Sequence, residues 1–101
     1  MMELVRPSVD YKDSFMRAVE EYRTENRSTR FDFGLAERDF PTFVRELNEH
    51  AEGKHMKEWY VPETMYWLVE KTDYIGQINI RHYLNDHLLH IGGHIGYDIR
   101  P

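Results

Sequence analysis

Four histidines fall close together in this chain: His82, His87, His90 and His94. Histidine is the side chain most often recruited to hold a transition metal or to move a proton near neutral pH. A metal reading needs several ligands on one face. His90 and His94 have the spacing of one helical turn, but Gly92-Gly93 between them opposes a helix, and the chain contains no cysteine to complete a thiolate site. The segment reads better as a polar loop carrying histidines, with a small His-rich metal-binding protein as a third reading of the whole chain. Carboxylates offer a second chemistry. Glu20-Glu21 and Glu46 with Glu49 are suited to flank an amine, yet both sets fall off the apolar stripes of their helices and read as solvated surface. Trp59-Tyr60 and Trp67 are aromatic enough to line a substrate pocket and, equally, to fill a core. No Ser-His-Asp arrangement with a nucleophile elbow is present.

The elements that must position these residues follow from periodicity. Leu4 and Val5 before Arg6-Pro7 form a short strand closed by proline. Asp10 is placed to cap a helix in which Phe15, Met16, Val19 and Tyr22 recur at one-turn spacing, and the polar run from Glu25 to Thr29 ends it. Phe31, Phe33 and Leu35, with Gly34, read as a connecting loop tucked under the domain. A second helix opens at Asp39 with Pro41 in its first turn. It carries Phe40, Phe43, Val44, Leu47 and Ala51 on one face, and Gly53 stops it. From Pro62 the period changes to two. Thr64 to Glu70 is apolar on both faces, as a central strand covered on two sides would be. Lys71-Thr72-Asp73 turns the chain into a strand from Tyr74 to His82, in which Gln77, Asn79 and Arg81 alternate with Ile78 and Ile80. A last strand runs from about Gly93 to Ile99. The expected fold is α+β, with a mostly antiparallel sheet in the order β-α-α-β-β-β and helices on one face.

Composition narrows the setting. The chain has 101 residues, enough for one domain, and is 41% hydrophobic, which favours a packed core over disorder. Its formal net charge of −5 opposes a nucleic-acid surface and permits a cationic partner. No basic segment followed by a long apolar run opens the chain, and no stretch approaches the ~20 apolar residues of a membrane span. With no cysteine to oxidise, a cytoplasmic location is expected.

Two stretches carry a family resemblance. Tyr66 to Arg81, strand-turn-strand with Gly76 entering the second strand, resembles the second and third strands of the GNAT superfamily of N-acetyltransferases. Gly92-Gly93-His94-Ile95-Gly96-Tyr97-Asp98-Ile99-Arg100-Pro101 resembles the fourth strand as it approaches the acetyl-CoA loop. The resemblance implies the N-terminal part of the acyl-CoA N-acyltransferase fold. It also implies transfer of an acetyl group from acetyl-CoA to a primary amine, carried by a small molecule or a peptide. By register, the Tyr97 amide would meet the acetyl carbonyl and Ile99 would pair with the pantetheine arm. Gly93 stands near the place where some members carry a carboxylate base; His94 is the alternative, accepting a proton through water. The family's pyrophosphate loop, an Arg or Gln before a Gly-x-Gly or Gly-x-Ala turn, is not found here, and Gly92-Gly93 with Gly96 does not replace it because no helix follows.

From this resemblance the 101 residues are expected to form one incomplete domain. It would be catalytically silent alone and would not hold acetyl-CoA tightly. The rival expectation is a non-enzymatic interaction or dimerisation module. In it, the unpaired edge from Gly93 to Ile99 and the uncovered Ile95, Tyr97 and Ile99 drive self-association.

Overall fold

The computed structural model describes residues 1–27, 29, 31–54, 61–83 and 95–101. The chain runs through β1 (Met2–Val5), α1 (Lys12–Thr24), α2 (Phe33–Arg38), α3 (Phe40–Glu49), β2 (Glu63–Glu70), β3 (Asp73–Arg81) and β4 (Ile95–Ile99). The four strands form one antiparallel sheet in sequence order, β1-β2-β3-β4, and the helices pack on one face of it. The architecture is mixed α+β. No helix among the described residues is long and apolar enough to cross a membrane.

The helical layer departs from the sequence reading in two places. Asp10 caps nothing. Ser8 instead caps a single 3-10 turn, Val9–Tyr11, by accepting from the Asp10 amide at 3.2 Å, and α1 follows without a side-chain cap. Phe33 to Arg38 is a helix rather than a loop, opened by Asp32, whose Oδ1 accepts from the Leu35 amide at 3.0 Å. Asp39 then serves both ends of a corner. Its amide closes α2 on the Leu35 carbonyl at 2.9 Å, while its carboxylate accepts from the Thr42 amide at 3.2 Å and the Thr42 hydroxyl at 2.7 Å to open α3. These two bonds hold the Asp39 carboxyl below its ordinary range. The α3 stripe is as expected from Phe40 to Leu47, with Phe40, Phe43, Val44 and Leu47 buried, but the helix ends at Glu49; half-buried Ala51 falls in a 3-10 turn, His50–Glu52, that Gly53 closes at φ +81°.

Phe15 on α1 is the hub of the core. Its ring stacks on Trp67 with centroids 4.9 Å apart and meets Tyr74 at 5.0 Å and Phe43 at 5.3 Å. Trp67 is fully buried and so belongs to the core, not to a substrate pocket. β2 is central, as its hydrophobic run implies, but only one face is covered. Met65, Trp67 and Val69 lie under the helices, while Tyr66 and Leu68 on the other face are only half-buried.

A single extra residue decides which way β3 faces. Leu68 pairs with Gly76 and Val69 with Tyr74, so Ile75 bulges out of the ladder. Directly opposed residues share a face, so Gln77 lies beside Trp67, and Asn79 beside Met65. The polar members of the β3 alternation therefore point toward the helices, and Ile78 and Ile80 point away. By the same pairing Asp98 and Gly96 of β4 join the helix face, and Ile95, Tyr97 and Ile99 join the outer face.

Candidate functional site

Where β3 and β4 leave the shelter of the helices, the inward polar stripe forms the floor of a cavity of about 280 Å³. It is lined by Thr29, Gln77, Asn79, Arg81, Gly96, Tyr97 and Asp98. Gln77 is only 3% exposed, and its Oε1 has no hydrogen-bond partner among the described residues; Thr29 Oγ1 is in the same position. Asn79 is held by Glu63, donating from Nδ2 to Oε2 at 2.8 Å in a fully buried contact, and His50 Nδ1 lies 3.8 Å from the other Glu63 oxygen. Glycine at position 96 keeps this floor low, because a Cβ there would sit 2.7 Å from Asn79 Oδ1.

β4 is fastened to α1 by two polar latches. The Tyr22 hydroxyl donates to Asp98 Oδ2 at 2.5 Å, and Arg27 donates to Asp98 Oδ1 at 2.8 Å and to the Ile99 carbonyl at 3.0 Å. Arg27 also lies over the Tyr22 ring, 4.9 Å from its centroid. Burial, reinforced by the Asp98 hydrogen bond, pushes the Tyr22 phenol well above its ordinary pKa, and burial does the same to Tyr74. The second latch is bidentate: Arg100 donates to Glu21 from Nε at 2.5 Å and from Nη2 at 2.7 Å, and it also reaches the Tyr74 carbonyl at 3.0 Å. The hydrogen bond from Arg100 lowers the Glu21 carboxyl and raises the guanidinium. Glu21 is thus a tether for β4, not the solvated surface its position on α1 suggests.

β4 is an edge strand among the described residues. The Arg100 amide donates to the Ile75 carbonyl at 2.8 Å, across to β3. Backbone groups alternate sides along a strand, so Asp98 and Gly96 also face β3, while Tyr97 and Ile99 direct their N–H and C=O groups off the free edge. The Ile99 carbonyl is taken by Arg27, with the Tyr22 hydroxyl 3.4 Å away, which leaves the two N–H groups as outward donors and the Tyr97 carbonyl as an outward acceptor. These are the main-chain groups that the family resemblance selects. The Tyr97 side chain lies on the outer face and is 75% exposed. Gly93 and His94 lie outside the described residues, so the placement of the expected base is not part of this geometry. The same holds for His87, His90, Trp59 and Tyr60. His82 is described, and its Nε2 lies 2.9 Å from Thr64 Oγ1. Among the described residues no group of three metal-ligating side chains forms.

The arrangement sorts hydrogen-bonding groups by kind. The free edge of β4 offers two main-chain donors, which suit a carbonyl oxygen, with the Tyr97 carbonyl between them. The adjoining cavity, which Arg81 also lines, offers unpartnered acceptor oxygens at Gln77 and Thr29, which suit a neutral amine or another N–H or O–H donor. Both Asp98 oxygens are engaged, one by Arg27 and one by the Tyr22 hydroxyl, so this side chain serves as an anchor for β4. The sequence reading missed Tyr22, Arg27, Gln77 and Asp98 as a group. The only linear signal was a glutamine and an asparagine, Gln77 and Asn79, alternating with isoleucines in a strand.

No family model matches the chain, and neither the curated proteins nor the solved structures contain a match.

Proposed function

We propose that this chain builds the acetyl end of an N-acetyltransferase site. In this reading the outward N–H groups of Tyr97 and Ile99 receive the carbonyl and pantetheine arm of acetyl-CoA, and the cavity beside them receives a primary amine. The reading rests on the GNAT resemblance of Tyr66 to Arg81 and Gly92 to Pro101. The observation that carries it is the juxtaposition of main-chain donors on the β4 edge with a polar cavity that β4 shares with β3 and Thr29, where Gln77 and Thr29 present acceptor oxygens. Acyl transfer to an amine needs both. A donor pair stabilises the oxyanion that develops on the carbonyl, and an acceptor-lined pocket orients the amine for attack. The amine nitrogen forms its bond to the acetyl carbon, the carbon–sulfur bond breaks, and the thiolate leaves with the proton that the amine gives up. A cytoplasmic setting, where acetyl-CoA is made and thiols stay reduced, fits a chain without cysteine.

The test uses a thioester that presents only the acetyl end, N,S-diacetylcysteamine, read by saturation-transfer NMR at millimolar concentration. Tyr97→Pro removes one outward N–H and leaves the donors that face β3 untouched, a placement that edge strands tolerate. Tyr97→Ala removes the side chain and keeps the amide. The proposal expects binding to survive in Tyr97→Ala and to be lost in Tyr97→Pro. Equal binding by both variants overturns it.

A second reading, an interaction module, is supported by a separate observation, the apolar face on the far side of the sheet.

A further inference from the structure

The bulge at Ile75 that turns Gln77 and Asn79 inward turns the isoleucines of β3 outward, where they meet like neighbours on every strand. Leu4 opposes Leu68, Ile78 opposes Tyr66 and Tyr97, and Ile80 opposes Ile95. Six side chains of this face, from Met2 on β1 to Ile99 on β4, are between 40% and 75% exposed. Taking on the order of 200 Å² for a fully exposed large residue, the upper-middle of the range for aromatics, six residues about half exposed present at most roughly 600 Å². Half-buried Tyr66, Leu68 and Ile78 bring the total close to the ~800 Å² that each partner contributes to a standard interface. It also exceeds the ~300–600 Å² typical of a monomer's largest apolar patch.

We infer that this outer face is the interface of a two-fold homodimer, packed sheet against sheet. The area favours a stable interface, and the composition favours a second copy of this chain. Among the described residues the middle of the face carries no charge to select a foreign partner, and Glu70, opposite Met2, stands at its end. The charges at its margin complement themselves: exposed Arg6, which donates to the Asn48 carbonyl at 3.3 Å, lies 6.0 Å from the Tyr66 ring at one end of β1 and β2, and Glu70 lies at the other. A two-fold axis in the interface and across the strands sets each Arg6 against Glu70 of the second copy, an isologous contact that closes on itself. Aligned sheet packing of this kind buries the whole face at once. The outward N–H groups of β4 point along the plane of the sheet, and the polar cavity has its floor on the helix side, so the inference does not rest on the acetyl-transfer reading; Tyr97 and Ile99 are the residues common to both.

Sedimentation equilibrium of the 101-residue chain between 5 and 200 μM tests the inference. The expected result is a monomer–dimer equilibrium that Leu4→Glu weakens by about a hundredfold or more, with far-UV circular dichroism unchanged. Leu4 sits on β1, at the opposite side of the sheet from β4, so this variant separates face packing from edge pairing at Gly93 to Ile99. A dimer indifferent to Leu4→Glu overturns the inference in favour of the edge. A monomer throughout the range overturns it, and so does open-ended polymerisation. If Leu4→Glu loses its fold, Met2→Lys, on β1 at a site 55% exposed, carries the same comparison.

Discussion

Replacing Tyr22 with phenylalanine isolates the latch that holds β4 over the helical layer. Tyr22 is 1% exposed, and its ring packs 5.8 Å from Phe33 and under Arg27; phenylalanine keeps both contacts and deletes only the hydroxyl. The main bond lost is the 2.5 Å donation to Asp98 Oδ2, and a long 3.4 Å contact with the Ile99 carbonyl goes with it. A hydrogen bond to a charged group is worth about 1.5–3 kcal/mol. The Asp98 side chain is 25% exposed and keeps Arg27, so water can replace part of the loss and the lower half of that range applies. A destabilisation of about 1.5–2 kcal/mol corresponds to roughly a 10–30-fold smaller folding constant and a melting temperature lower by ~6–16 °C for a domain of this size. Urea unfolding followed by tryptophan fluorescence measures it. The same substitution in an Asp98→Ala background should cost at least about 1 kcal/mol less, because the two groups act through one bond. A loss below about 0.5 kcal/mol, or strict additivity in the double variant, refutes the latch.

Gly76→Ala should destabilise by about 1–3 kcal/mol, because its Cβ would meet the Asp98 carbonyl at 2.6 Å and the Ile99 Cα at 3.2 Å; urea midpoints check this, and a neutral result contradicts the observed β3–β4 spacing. Alkaline conditions should destabilise the protein. Folding raises the Tyr22 and Tyr74 pKa values above the ordinary 10.0, so stability is full below that value and falls as pH rises through and beyond it. Tyr22→Phe should show a shallower fall, and equal slopes would contradict the assignment. On the acid side, Arg100 lowers the Glu21 carboxyl from an ordinary 4.5, so this pair stabilises the fold above that pH and the contribution is lost as pH falls through the lowered value. Arg100→Met should flatten stability against pH between about 5 and 3, and an unchanged acid limb argues that the pair contributes nothing.

The local elements were legible in the sequence because their signals are local. The α3 stripe from Phe40 to Leu47 and the hairpin through Lys71 and Thr72 need only a few consecutive residues to declare themselves. α2 was not legible, since six residues containing Gly34 give no full apolar period and its start depends on a side-chain bond from Asp32. The cavity was hidden for a different reason. Alternation in β3 is plain, but whether Gln77 or Ile78 faces inward depends on the one-residue bulge at Ile75, and period-two patterns reverse with every such insertion. The latches are long-range: Tyr22 meets Asp98 across 76 positions, and Glu21 meets Arg100 across 79. Nothing in the spacing of those residues announces the pairing. Outward exposure of Ile95, Tyr97 and Ile99 was legible, because three alternating apolar residues on an edge strand demand a cover wherever the strand lies.

Amide-resolved NMR of the uniformly ¹⁵N-labelled chain, titrated with N,S-diacetylcysteamine, tests the central claim most directly. The account predicts saturable shifts concentrated at the Tyr97 and Ile99 amides, with the inward-facing Asp98 and Arg100 amides moving less. Shifts confined to other parts of the chain, or none at the highest thioester concentration, would contradict the placement of an acetyl site on the edge of β4.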